Sequence, residues 1–239
     1  MLKNFLYNAL EVIILPIYNA PLLKIDVEET RRYAGLRKAE NFDDKTISDV
    51  CEDALLFLDV RGVWKVYDYD CKKNLVLSEP TFEIKGESII KHLADCEKVV
   101  CMAVTVGEKI EREITAEFRK GGYVYSMILD AAATAAVEQA ADAMEKIISM
   151  EAAKESYKNL WRYSPGYGDW ALTEQKKFFQ ITDAKEIGMR LSPAMMLMPR
   201  KSVTAIIGLK KITATENNSS HGKNSCATCE QKNCPAKKD

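Results

Sequence analysis

Between residues 98 and 106 the chain reads KVVCMAVTV, with almost no polar phase to face water. Such a run predicts a strand covered on both faces, with Cys101 packed inside rather than engaged in chemistry. Upstream, Val63, Lys65 and Tyr67 alternate with Trp64, Val66 and Asp68, the period-two pattern of a strand over 62–69. Shorter strands are expected at 75–77 and 81–84. Elsewhere the period is helical. Ile47, Val50, Cys51, Ala54, Leu55 and Leu58 fall on one face of a helix over 44–58. Asp26 with Glu29 is a capping-box signature for a helix that stops at Gly35. Helices follow at 88–96 and 108–119. After the Gly121-Gly122 break comes the longest, 126–150, whose alanines permit close approach of a neighbouring element or ligand. Further on, a helix is expected at 172–181, and a short one at 183–187 with an Asp183/Glu186 capping box and Gly188 at its end. Strands at 194–198 and 203–209 are expected to pair around the turn 199–202. Met189, Met195, Met196 and Met198 have core spacing.

The composition changes this picture little over the first 212 residues. The 239-residue chain is 47% hydrophobic and 29% charged, with a formal net charge of −1. That balance suits an ordinary core and recommends neither nucleic acid nor an anionic membrane as a partner. The apolar run 5–23 is broken by Asn8, Glu11 and Pro16 and is too interrupted to span a bilayer. It reads as a buried helix and strand of a cytoplasmic protein. Cys51, Cys71, Cys96 and Cys101 are scattered singly, unlike a secreted disulfide framework.

From residue 213 the chain turns polar and delivers Cys226, Cys229 and Cys234 in a C-x2-C-x4-C pattern, with His221 five residues before it. Three cysteines leave no complete disulfide scheme, so metal ligation is the sharper reading. Three states stay open. They are zinc with His221 as fourth ligand, an iron–sulfur cluster with one iron position open, and free thiols. The organisation expected is one α+β domain, 1–212, with a flexible cysteine-bearing tail, 213–239.

Candidate chemistry concentrates in Trp161 to Trp170, WRYSPGYGDW. Pro165-Gly166 signals a turn, proline fixing φ at the second position and glycine accepting positive φ at the third. Arg162, three residues earlier, offers a planar fork of donors suited to a carboxylate. On composition alone, a surface turn pinned by aromatics fits equally. Glu138 and Asp142 stand four apart on the long helix, which fits a solvated acidic stripe with Asp142 paired to Lys146. There is no G-x-x-x-x-G-K-[ST], H-E-x-x-H or G-x-S-x-G. With only His92 and His221, a histidine-based triad has little material.

Arg162-Tyr163-Ser164-Pro165-Gly166-Tyr167 resembles the R-x-[AS]-P-G-Y motif of the activation domain of cobalamin-dependent methionine synthase. Thr173-Glu174, Met189-Arg190-Leu191, and Ala194-Met195 with Pro199, Ser202 and Val203 also look like that family. The resemblance runs from about Tyr125 to Gly208, weakens before it and is absent after Thr213. One departure stands out: Gly168-Asp169-Trp170 replaces the P-A-C-P frequent after the family's tyrosine.

The resemblance implies a twisted, mainly antiparallel sheet flanked by helices, with an S-adenosylmethionine cleft on one side. It implies that Arg162 takes the ligand's carboxylate, that Ser164, Pro165, Gly166 and Tyr167 line the site, and that Glu138 faces the cleft. An acidic group suits a ligand bearing a sulfonium and an ammonium.

The implied function is reactivation of a corrinoid enzyme by reductive methylation of cob(II)alamin. The partner would be a cobalamin-binding methionine synthase lacking its own activation domain, and the electron would come from a low-potential donor. The chain lacks the D-x-H-x-x-G pattern of a cobalamin module. It would therefore act as a separate accessory component, positioning two small molecules rather than supplying acid–base groups. A tethered tail cluster could deliver the electron. Two other classes remain open: an activator of another corrinoid methyltransferase, and an interaction module that no longer binds S-adenosylmethionine.

Overall fold

A strand without a polar phase needs partners on both edges and cover on both faces, and residues 98–105 obtain all four. The computed structural model describes residues 17–39 and 42–212. In chain order the elements are β1 (Ile17–Tyr18), α1 (Val27–Tyr33), α2 (Asp44–Leu55), β2 (Arg61–Asp70), β3 (Leu75–Val76), β4 (Phe82–Glu83), α3 (Glu87–Leu93), β5 (Lys98–Thr105), α4 (Lys109–Arg119), α5 (Tyr123–Lys154), β6 (Tyr157–Asn159), α6 (Gln175–Ile181), β7 (Arg190–Leu191), β8 (Leu197–Met198) and β9 (Ser202–Lys211). The main sheet has the order β4-β3-β2-β5-β9-β6, with β1 on the outer edge of β2, and every strand pairing among the described residues is antiparallel. β5 pairs along its length with β2 on one side and β9 on the other. The expected α+β class with a mainly antiparallel sheet is what forms.

The pleat sorts the β5 side chains. Val100, Met102 and Val104 join Ala205, Ile207 and Leu209 under α1, α2, α4 and α5. Val99 and Cys101 join Ile206 under α3 and α6, and Ala103 joins Val63, Phe179, Ile187 and Met189 beside them. Burial pushes the Cys101 thiol up, as its packing role requires. On the first face α5 is the main cover, 32 residues and roughly 48 Å long. Its Ala132, Ala133, Ala136, Ala140 and Ala141 have no exposed surface, so the helix seats close to the sheet.

Several local expectations need correction. Asp26 accepts from the Glu29 N–H at 3.0 Å, but its own N–H donates to Gln139 Oε1 at 2.9 Å, and Glu29 pairs with Arg32. The cap thus ties α1 to α5 instead of closing on itself. Asp183 does not cap the helical turn 184–187. It adopts a left-handed φ of 53° and its carboxylate pairs with Lys65. β8 pairs with β7 rather than with β9, which pairs with β5 over 202–209 and, on its other edge, with Tyr163 at Ile206 and with β6 at 209–211. That leaves Met196 exposed in the β7–β8 turn, while Met189 is core.

Close seating of α5 makes its alanines the sensitive positions. Ala136→Leu should cost about 1–3 kcal/mol by overpacking. A lower urea midpoint at unchanged slope would register it.

Candidate functional site

β6 leaves α5 through Ser156, at φ 63°, and runs back along β9. Asn159 pairs with Leu209 and Tyr163 with Ile206, so four steps on this strand oppose three on its partner. The extra residue is a β-bulge, and it shifts the phase of the pleat. Without it Trp161 would face α5. With it, Leu160, Trp161 and Tyr163 pack on the α3 side, and Arg162 swings to the α5 side.

There Arg162 meets three acids spaced four and three residues apart on one stripe of α5. Nη2 lies 3.0 Å from Glu138 Oε2, and Nη1 lies 2.6 Å from Asp142 Oδ1 and 2.7 Å from Glu145 Oε2. The arginine side chain is 17% exposed, and the acids are 38%, 71% and 22% exposed in that order. Asn159 Nδ2 steadies Glu145 at 3.3 Å. Burial opposes the guanidinium charge, yet Asp142, Glu138 and Glu145 more than offset it and hold the group protonated. Glu145 shifts the other way for a paired acid. Burial pushes its pKa up, and Arg162 only partly offsets that. One cation among three anions leaves a local charge near −2, an environment that favours a positively charged ligand.

The motif turn forms as its residues dictate. The Tyr167 N–H donates to Ser164 O at 3.1 Å, with Pro165 second and Gly166 third at φ 98°, a type II turn. A second turn follows, Trp170 N to Tyr167 O at 3.0 Å, and Gly166 N donates to Trp170 O at 2.8 Å. In it Gly168 sits at φ 53° against the Tyr163 hydroxyl, where a Cβ would clash. Pro165 is buried and Tyr167 is 46% exposed. The structure therefore brings Glu138 and Arg162 into contact, with Ser164, Pro165, Gly166 and Tyr167 in the adjoining turn. Asp142 pairs with Arg162, and Glu145, which the sequence did not single out, completes the cluster. The signal for it was the 138–142–145 spacing.

The departure Gly168-Asp169-Trp170 has its own structural work. The N-cap of α3 is Gly86, which has no side chain to cap with. Asp169 supplies that cap from outside, accepting from Glu87 N at 2.5 Å and Ser88 N at 3.1 Å. Desolvation opposes its charge, but these N–H donors hold its carboxyl below the usual range. Trp170 is fully buried against Phe178 and Tyr163.

Two hollows, of about 380 and 320 Å³, lie along α4 and between α4 and α5, and neither is lined by a motif residue. Among the described residues no group of three or more His, Cys, Asp or Glu side chains is placed to hold a metal, and no helix is long and apolar enough to cross a membrane. Cys226, Cys229, Cys234 and His221 lie outside the described residues.

His92 bonds the motif strand to α3. Its Nε2–H donates to Trp161 O at 2.9 Å, and its ring lies 4.2 Å from the Trp161 ring. Burial lowers its pKa, and the carbonyl bond only partly opposes this. The folded pKa thus lies below the unfolded value of about 6.5. The neutral ring's contribution is complete above about pH 6.5 and is lost as pH falls through the folded pKa. Urea midpoints taken from pH 7.5 to 5 should fall more steeply for the wild type than for His92→Gln.

The family model described as vitamin B12 dependent methionine synthase, activation domain, matches residues 88–215, just over half of the chain. No curated protein matches. Among solved structures, the MetH reactivation domain crystallised with AdoHcy superposes with a TM-score of 0.54 at 15% identity, covering 81% of this chain and 78% of that one. At that identity the likeness speaks for the fold. The family match extends the sequence resemblance upstream to the start of α3, the helix that Asp169 caps. On the family match, this chain belongs to the vitamin B12 dependent methionine synthase activation domains.

Proposed function

We propose that the chain binds S-adenosylmethionine at Arg162 and the adjoining turn and supports reductive methylation of cob(II)alamin on a separate, cobalamin-dependent methionine synthase that lacks its own activation domain. The observation carrying this reading is the guanidinium held between the R-x-S-P-G-Y turn and the acidic stripe of α5. In support, the similar reactivation domain was crystallised with AdoHcy, the demethylated form of that ligand.

The residues present fit the ligand. Arg162 presents a guanidinium of the kind that pairs with a ligand's carboxylate. Glu138 and its neighbours suit the sulfonium and ammonium, and the exposed Tyr167 ring offers an apolar wall. S-adenosylmethionine would supply the methyl group, a low-potential donor the electron, and the partner's cobalamin would receive both. The chain's own residues bind and orient. His92, already bonded to a backbone carbonyl, has no acid–base part in this scheme.

A competing reading is an interaction module whose cleft no longer takes the ligand, and the saturation of Arg162 by three carboxylates favours it. An activator of a different corrinoid methyltransferase would use the same cleft and differ only in partner. The setting we propose is the cytoplasm. For the tail we propose metal ligation by Cys226, Cys229 and Cys234, with an iron–sulfur cluster as electron relay or zinc completed by His221.

Calorimetric titration tests the ligand. A carboxylate held by a guanidinium contributes about 1.5–3 kcal/mol. Arg162→Ala should therefore weaken S-adenosylmethionine binding about ten- to a hundredfold with the fold intact. Glu138→Gln should weaken it less, and mainly at low salt. Absence of binding by the wild type at millimolar ligand would leave the interaction module. In reconstitution, methylcobalamin should return only when partner, S-adenosylmethionine and reductant are all present, and methylation of an unrelated acceptor by this chain alone would overturn the proposal. Iron, sulfide and zinc analysis after anaerobic purification separates the tail's alternatives, and a metal-free tail dispensable for reactivation would overturn its proposed role.

A further inference from the structure

The three carboxylates around Arg162 are not equivalent. Glu145 is 22% exposed and bonded by Asn159, whereas Asp142 is 71% exposed and shares Nη1 with Glu145. Asp142, the most exposed of the three acids, lies 2.6 Å from that nitrogen, so a ligand carboxylate arriving from solvent would compete with it there. Two carboxylates cannot use one donor on the same side at full strength. An exposed ion pair is also the one most readily given up.

We infer that Asp142 holds the place of the ligand's carboxylate on Arg162 and is displaced on binding, while Glu145 stays to aim the guanidinium. The inference rests on the S-adenosylmethionine reading above. It makes Asp142 a competitor that sets affinity and Glu145 a positioning residue.

Removing the Asp142 charge has two opposed effects. It frees Nη1 for the ligand's carboxylate, and it withdraws a negative charge from the vicinity of the ligand's cationic groups. The first acts at contact distance. The second is exposed and screened by salt. The net effect on a carboxylate-bearing ligand is tighter binding, by about two- to fivefold, the range of an exposed ion pair. A ligand without the carboxylate feels only the second effect and binds no better, or more weakly.

The test is calorimetric titration of S-adenosylmethionine and of its decarboxylated counterpart into the wild-type chain, Asp142→Asn, Asp142→Ser and Glu145→Gln, with circular dichroism as the check on folding. Both Asp142 variants should tighten S-adenosylmethionine about two- to fivefold without tightening the decarboxylated ligand. Glu145→Gln should weaken S-adenosylmethionine. Equal or weaker binding of S-adenosylmethionine by the Asp142 variants would overturn the inference while leaving the ligand assignment standing. Equal tightening of both ligands would do the same. A wild-type chain that binds neither ligand would remove the ligand assignment itself, and the inference with it.

Discussion

The double burial of β5 is the constraint from which the rest of the architecture follows. Val99, Cys101 and Ala103 need cover on one side, and Val100, Met102 and Val104 on the other. A sheet whose central strand is hydrophobic on both faces must sit between two layers. α1, α2, α4 and α5 form one layer, and α3, α6 and the helical turns form the other. β9 is drawn into the same condition, since its Thr204 to Ile207 are buried between β5 and the motif strand.

That arrangement decides where charge can exist. The long helix α5 has its alanines against the sheet and carries a stripe of three acids along the margin where the sheet ends. The motif strand is that margin. Arg162 and the stripe of Glu138, Asp142 and Glu145 meet at the boundary between core and water, where a partly desolvated guanidinium still has open access. Position there strengthens each pairing without burying the charge outright.

Much of the fold was legible in the sequence because its causes are local. Pro165-Gly166 forms the turn that its backbone preferences require, β5 is covered on both faces as its apolar run demanded, and Asp26 starts α1. The misreadings share a different cause. Asp183 has the local pattern of a cap, but Lys65, distant in sequence, claims its carboxylate. Strands 194–198 and 203–209 look like a hairpin, but Leu197 and Met198 pair with Leu191 and Arg190 instead, and β9 pairs with β5. Glu145 and the cap from Asp169 to α3 depend on contacts between segments far apart in the chain, which periodicity does not record.

The bulge between Asn159 and Tyr163 has a consequence for how this chain can vary. Which of two adjacent side chains meets α5 is set jointly by the number of residues between the helix and the motif and by the presence of the bulge. Loss of one residue there removes the extra step and leaves Arg162 facing the acids, whereas loss of the bulge at unchanged length would present Trp161 instead. A change of length here preserves the facing of Arg162 only if it comes in pairs, or as a single residue gained or lost together with the bulge. A variant that keeps the motif but changes residue number and bulge out of step would carry the same letters while lacking this chain's charge cluster.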